Sequence, residues 1–508
     1  MSAFPWLTTL GVVPLAGAAV VAALPRGREL LAKQIALGAS VLTLVLTIVA
    51  ALQFKAGGPQ FQLVEDHDWI RQFGVSYAVG VDGIALVLIA MATVLVPVVI
   101  LASWHEADDA KTPVKVYFAL LLVLETMIIG VFAATDVFLF YVFFEAMLIP
   151  VYFLIGAFGG PQRSYAAVKF LLYSLFGGLL MLAALIVLYV QSADQLGRGT
   201  FDYAQLVGLH IDPTTQKWLF LGFFAAFAIK APLWPVHTWL PDAAAESTPG
   251  TAVLLVGVLD KVGTFGMIRL CLPLFPDASR YFTPAVLVLA VVGIVYGALV
   301  AIGQTDMMRL IAYTSLSHFG FITLGIFAMT TQGQSGATLY MVNHGFSTAG
   351  LFIVAGFLAS RRGSRLIADY GGVQRVAPLL AGFFLVMGLA TLALPGLNGF
   401  VSEFMVLIGT YTRYPVYAVI ATLGMILAAI YVLLWYQRVA HGPAVEGVKG
   451  FRDLGGREVL ALAPLLALVI ALGFFPKPLL DVVNPAVGHT LQEVGQTDPA
   501  PAIAGGAP

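Results

Sequence analysis

The sequence predicts an all-α polytopic membrane protein of about 14 transmembrane helices, with two inverted five-helix repeats and two broken helices. Composition, the spacing of long apolar runs and the sorting of basic residues lead to that prediction. Of 508 residues, 60% are hydrophobic and 10% charged, where an ordinary soluble domain carries about 25% charged residues. That deficit excludes a soluble enzyme. With 26 Lys+Arg against 27 Asp+Glu the net charge is -1, so no basic field would recruit nucleic acid. The single cysteine, Cys271, rules out a disulfide framework and a Cys-ligated iron–sulfur cluster. No glycine fingerprint sits between a strand and a helix to hold a dinucleotide.

A helix crossing the hydrocarbon needs about 20 apolar residues. Such runs fall near 4–24, 30–52, 79–103, 114–133, 136–158, 165–191, 217–239, 250–273, 283–303, 307–330, 337–360, 377–411, 414–440 and 457–475. The first is a membrane span rather than a cleavable signal, because Pro5 and Trp6 precede any basic residue and Arg26 and Arg28 follow the apolar run. Loops from odd to even spans hold sixteen Lys and Arg, and the remaining loops with the C-terminus hold eight, Arg269 among them. Inner loops are the basic ones, so both termini of this multi-pass protein are expected outside. The chain divides into an N-terminal three-helix segment (1–112), a first repeat (113–275), a second (276–441), a last transmembrane helix (442–480) and a tail (481–508). The Pro/Ala/Gly-rich stretch from Asp498 to Pro508 reads as disordered.

Once the loops and span ends are assigned, only Lys230 and Lys261 among the basic residues remain, and both fall inside spans. An ionisable group at membrane depth costs about 2.5 to 3.5 kcal/mol on insertion scales, which makes each survivor a functional candidate. Glu145, Glu403 and Glu125 are the carboxylates, and His318 and His344 the histidines. The competing reading for each is a structural ion pair or a hydrogen-bonded imidazole that fixes helix packing. Glu145, Lys230 and Lys261 on spans five, seven and eight are more charge than packing needs.

Two of these charges lie in damaged helices. Pro232 and Pro235 follow Lys230, and Pro395, Gly396, Asn398 and Gly399 precede Glu403. Proline removes an amide donor and clashes with the preceding turn, and a break at membrane depth is tolerated only where it is buried in protein or lines water. Lys230 and Glu403 stand 173 positions apart, as do Glu145 and His318. That offset spans five helices. Five is odd, so the second copy would be inverted, the architecture of many ion carriers.

Burial favours the neutral forms of lysine and glutamate, and an opposite charge favours the ionised ones. Glu145 beside Lys230 would therefore form a switchable proton donor and acceptor pair, with Lys261, His318 and His344 as carriers and Glu403 as a terminal station. Histidine passes protons through either ring nitrogen. No metal site is suggested, since the two histidines lack a local carboxylate or thiolate. Asp260 and Asp136 are second-tier tuning residues, and adjacent residues point about 100° apart on a helix, so Asp260 need not face Lys261. His237 reads first as a capping or interfacial histidine and second as part of an inlet for protons.

The string from Gln304 through Asp306, Arg309 and His318, the FFE segment ending at Glu145, the stretch from Ala228 to Pro249, and Lys261 with Gly263 and Arg269 together resemble the antiporter-like membrane subunits of proton-pumping NADH:quinone oxidoreductase, respiratory complex I. The resemblance covers about residues 1 to 480. Within that family, L- and N-type chains and the related sodium/proton antiporter subunits carry lysine on span twelve, whereas M-type chains carry glutamate, like Glu403 here. The chain also lacks the long lateral helix of L-type chains. The resemblance implies a proton relay through Glu145, Lys230, Lys261, His318, His344 and Glu403, with membrane lipids and the L and N chains as neighbours. It implies that NADH, FMN, iron–sulfur clusters and quinone belong to partner subunits, and that this chain has no cofactor of its own. Two other readings stand beside it, a subunit of a sodium/proton antiporter and a non-pumping membrane scaffold.

Overall fold

The structure, a computed structural model, describes residues 4–500. Twelve helices among these residues are long and apolar enough to cross a membrane. They are spans one to six (Trp6–Ala23, Glu29–Gln53, Gly83–Ala102, Val114–Ala133, Val137–Phe158 and Arg163–Leu196), span eight (Pro249–Leu274), spans nine to eleven (Pro276–Ile302, Met307–Phe327 and Thr331–Arg362), and spans thirteen and fourteen (Pro415–Ala440 and Gly456–Phe474). The other two expected spans are each two shorter helices around a break. Span seven is Pro213–Lys230 followed by Trp239–Glu246, and span twelve is Pro378–Thr391 followed by Asn398–Tyr411.

Packing ranks the spans. Spans eight and eleven are buried throughout their apolar windows and span ten nearly so, whereas spans one, two, thirteen and fourteen keep most of theirs on the surface. A helix apolar all round belongs either in a protein core or against lipid, and both fates occur here. Small residues set the closest approaches: a Cβ on Gly345 of span eleven would lie 3.1 Å from Gly257 O of span eight. Spans five and ten begin alike. Asp136 and Asp306 cap them through backbone amides, and each capping residue makes an isolated antiparallel bridge, Asp136 with Asp202 and Asp306 with Leu366. Each bridge ties the start of its span to the segment that leads into a broken helix.

The fold is the helical membrane architecture expected, with one addition and two corrections. Strands β1 (Gln62–Ile70) and β2 (Val75–Val81) form an antiparallel hairpin between spans two and three. Gly74 closes it at φ 62°, a left-handed conformation that favours glycine. The segment 481–508 is not a tail in its first part, since Lys477–Val494 is a helix that buries Val483, Ala486, Val487, Thr490, Leu491 and Val494 on one face. Prolines at 478 and 485 obscured that pattern, but Pro478 lies in the first turn, where no amide partner is lost. The expected disorder from Asp498 onward falls mostly on 501–508, outside the described residues. Finally, Arg269 is not a loop residue. It lies within span eight and is buried, and its Nη2 is 2.6 Å from Asp82 Oδ2.

The Asp82–Arg269 pair anchors one end of the molecule. Asp82 also caps span three by accepting from Ala85 N at 2.8 Å, and the guanidinium lies over the rings of Phe61, Phe265 and Tyr203 at 4.8, 5.2 and 5.8 Å. Tyr203 donates to Glu493 of the C-terminal helix at 3.2 Å. Removing one partner of a buried pair strands the other charge, at a cost of about 3–5 kcal/mol. Arg269→Met is therefore expected to lower the thermal transition of the detergent-solubilised protein, and an unchanged melting temperature would refute this anchoring role.

Candidate functional site

Lys230 is the last residue of the first half of span seven, and the chain unwinds beyond it because Pro232 and Pro235 cannot continue the helix. The freed backbone groups find protein partners. Trp239 donates its indole N–H to Ile229 O at 2.9 Å, and Leu233 N donates to Ala228 O at 2.8 Å. Lys230 is 1% exposed. Its Nζ lies 4.6 Å from the centroid of the Phe144 ring and 6.0 Å from that of Phe170 and has no hydrogen-bond partner among the described residues. Glu145 does not pair with it directly. The carboxylate sits against span six, where a Cβ on Gly178 would fall 1.8 Å from Glu145 Oε1, so only glycine leaves it room. The carboxylates whose charge reaches Lys230 are Glu145 and Asp260.

The second half of span seven is held by charge. Asp242 receives Lys169 Nζ of span six and Arg309 Nη1 of span ten, both at 2.7 Å. Glu246 accepts from Gln162 N at 2.8 Å and lies 3.6 Å from Arg365. One turn of helix separates Asp242 from Trp239, so this clamp bears on the carbonyl beside Lys230. The start of span eight is capped by Glu106, which accepts from Gly250 N at 3.0 Å. Burial pushes the Glu106 carboxyl above its ordinary range.

Span eight contains two π-helical turns, Leu255–Leu259 and Met267–Cys271, a distortion common at functional sites. Lys261 and Asp260 lie between them, both fully buried. Lys261 Nζ donates to Val256 O at 2.6 Å and meets His344 Nδ1 of span eleven at 2.7 Å. The His344 ring stands edge-on to His318, centroids 5.2 Å apart. His318 lies 5.7 Å from the Tyr340 ring, and its Nε2 is 3.4 Å from the Tyr431 hydroxyl. Tyr340 then donates to Glu403 Oε2 at 3.2 Å. The break before Glu403 is secured by a reciprocal amide pair: Asn343 Nδ2 donates to Asn398 O at 2.7 Å and Asn398 Nδ2 to Asn343 O at 3.1 Å.

All six primary candidates are buried or half-buried, and four of them, Lys261, His344, His318 and Glu403, form a string of contacts. Glu145 and Lys230 form a second group, tied to the first through span eight. Glu125 stays apart, fully buried with neither oxygen hydrogen-bonded. His237 is buried beside Tyr296, ring centroids 5.2 Å apart, rather than capping a helix. Asp136 is committed to Ser76 N and Leu139 N. Sequence reasoning missed Tyr340 and Tyr431, although Tyr340 precedes His344 by four positions and so shares its helix face. It also missed Trp239 and the clamp on Asp242, which depends on three distant segments. Among the described residues no cluster of three or more His, Cys, Asp or Glu is placed to hold a metal ion.

Residues 134–430 match the family model described as NADH:quinone oxidoreductase/Mrp antiporter, transmembrane. The chain is 56% identical to NADH-quinone oxidoreductase subunit M of Mycobacterium tuberculosis (strain ATCC 25618 / H37Rv), over 99% of this chain and 97% of that protein. It is similar to a chain in the structure of respiratory complex I from Thermus thermophilus with bound NADH, with TM-score 0.88 and 31% identity, covering 96% of this chain and 100% of that one. A chain of the Mrp complex from Dietzia sp. DQ12-45-1b shares the fold at TM-score 0.84 and 22% identity, over 97% of this chain and 100% of that one.

Trp239→Phe keeps the ring but leaves Ile229 O buried without its indole donor, a loss of about 1–3 kcal/mol. The expected result is a lower melting temperature of the purified protein, with Trp239→Phe and Asp242→Asn together losing less than the sum of their separate effects.

Proposed function

Since the chain belongs to the NADH:quinone oxidoreductase/Mrp antiporter transmembrane family, as an antiporter-like M-type subunit of NADH:quinone oxidoreductase, we propose that it moves protons through Glu145, Lys230, Lys261, His318, His344 and Glu403. The observation that carries this assignment is the string of contacts from Lys261 through His344 and His318 to Tyr340 and Glu403. Each member can hold or pass a proton, and none needs a second substrate to do so. Tyr431, whose hydroxyl is 3.4 Å from His318 Nε2, and Tyr340, which donates to Glu403, join the relay as hydroxyl stations.

Proton movement follows from exchange of partners. A proton on Lys261 Nζ passes to His344 Nδ1 along the 2.7 Å contact, leaving a neutral amine, and the imidazolium so formed releases the proton on its other nitrogen. Glu403 receives it by way of the tyrosine hydroxyls. Glu145 and Lys230 load the relay: bringing the carboxylate nearer favours the charged lysine, and withdrawing it expels the proton. The energy comes from redox chemistry in other subunits, which hold NADH, FMN, the iron–sulfur clusters and quinone. Chains of the L and N types flank this one, both termini lie outside, and spans four to eight and nine to thirteen are inverted repeats. The matching capped starts of spans five and ten support the repeat, although aligning Asp136 with Asp306 gives an offset of 170, one turn short of the 173 read from the charges.

In the complex containing this chain, Lys230→Ala and Glu145→Ala are each expected to assemble and to lose about tenfold or more of quinone-coupled proton pumping. Tyr340→Phe removes one hydrogen bond to a carboxylate and is expected to cost about threefold to tenfold. Pumping is read as acidification of proteoliposomes during NADH oxidation. A pump that keeps its rate without Lys230 refutes the relay, and loss of the complex itself indicates a scaffold. A sodium/proton antiporter would instead require sodium and run without quinone.

A further inference from the structure

Span eight presents two faces at the level of Lys261. One face meets span eleven, through Lys261 Nζ on His344 and Gly257 opposite Gly345. The other meets span seven at its break, where a Cβ on Gly263 would fall 2.6 Å from Ala231 N and from Phe227 O, and a Cβ on Gly266 would fall 2.4 Å from the Phe227 ring. Residues 260–266 are α-helical between the two π turns, so Asp260, three positions before Gly263, shares the face turned to span seven. The carboxylate and the adjacent ammonium are thereby directed to opposite neighbours.

Asp260 is fully buried and neither oxygen is hydrogen-bonded. Such a carboxylate costs several kcal/mol when charged, and packing does not use it. The charged groups that reach it are Lys261 and Lys230. Lys261 is its neighbour on span eight, and Lys230 ends the half-helix that Gly263 brings against that span.

We propose that Asp260 is a proton-carrying residue of the relay, linking Lys230 to Lys261 across span eight. In the transfer, Lys230 Nζ gives up a proton and becomes neutral while the Asp260 carboxylate becomes a carboxylic acid. The acid then protonates neutral Lys261 Nζ, restoring the carboxylate and leaving an ammonium. One N–H bond breaks and one O–H bond forms in the first step, and the reverse occurs in the second, so protons and charge balance without another reactant. The inference rests on the relay proposed above and adds the group that joins its two halves.

The test uses the intact complex in proteoliposomes, comparing Asp260→Asn, Asp260→Glu and Lys230→Ala with the wild type. Asp260→Asn is expected to lower protons moved per quinone reduced by about tenfold or more, while Asp260→Glu, which restores a carrier, stays within about threefold. Pumping by Asp260→Asn at the wild-type ratio overturns the proposal. Should Lys230→Ala also pump normally, the relay itself fails; if only Lys230→Ala is defective, Asp260 alone is excluded. A measurement on the unmutated protein stands apart from assembly: with 13C-labelled aspartate, the infrared difference spectrum of turnover should show a label-sensitive carboxyl band that disappears in Asp260→Glu. Absence of any label-sensitive band overturns the proposal even if the asparagine variant fails to assemble.

Discussion

Hydrocarbon offers no hydrogen bonds, so every charge and every freed backbone group at membrane depth must be held by the protein itself. That constraint organises the molecule. Lys230 ends a half-helix whose loose carbonyls are taken up by Trp239 and by turns of the broken segment. Glu403 follows a break that is stitched by the Asn343–Asn398 amide pair. The three most buried spans, eight, ten and eleven, are those that carry Lys261, His318 and His344. Spans one, two, thirteen and fourteen are the outer wall. Burial by surrounding helices, rather than exposure to lipid, keeps polar groups available at the centre.

The same constraint explains the glycines. Gly178 leaves space for Glu145, Gly257 and Gly345 let spans eight and eleven meet, and Gly263 brings span eight onto the broken part of span seven. Without a hydrophobic force between helices in lipid, close backbone approach through small residues is the main means of tight packing. Each of these approaches sits beside a titratable group, so the positions of the charges are fixed by backbone contact rather than by long flexible side chains.

Much of this was legible in the sequence because membrane insertion writes a strong one-dimensional signal. Apolar runs located the helices, and residues that broke the apolar rule, Lys230, Lys261, Glu145, His318, His344 and Glu403, located the interior site. What stayed hidden was three-dimensional. Arg269 reads as a loop cation because it lies close to the end of span eight, and only the fold supplies Asp82 as its partner. Tyr340 and Tyr431 carry no charge and disappear among many buried aromatics. The helix Lys477–Val494 is amphipathic and interrupted by proline, so neither a hydropathy run nor an uninterrupted helical pattern marks it. The Asp242 clamp draws Lys169, Arg309 and their helices together from positions that share no local pattern.

The two halves of the site are built on different principles. The half containing Glu403 is a string of imidazole, phenol and carboxylate contacts, hydrogen-bonded from Lys261 to His344 and from Tyr340 to Glu403 and joined between them by ring contacts. The half containing Glu145 and Lys230 has no direct ion pair, and Lys230 rests on the Phe144 ring, an interaction that holds a cation without accepting its proton. A group held that way keeps its proton until an acceptor approaches or its counter-charge withdraws. The half containing Glu145 and Lys230 is therefore arranged to respond to movement, and in the relay proposed above the half containing Glu403 conducts what it releases. Span eight is where the two meet, and the α-helical stretch between its π turns places the two adjacent ionisable residues of that junction on different faces.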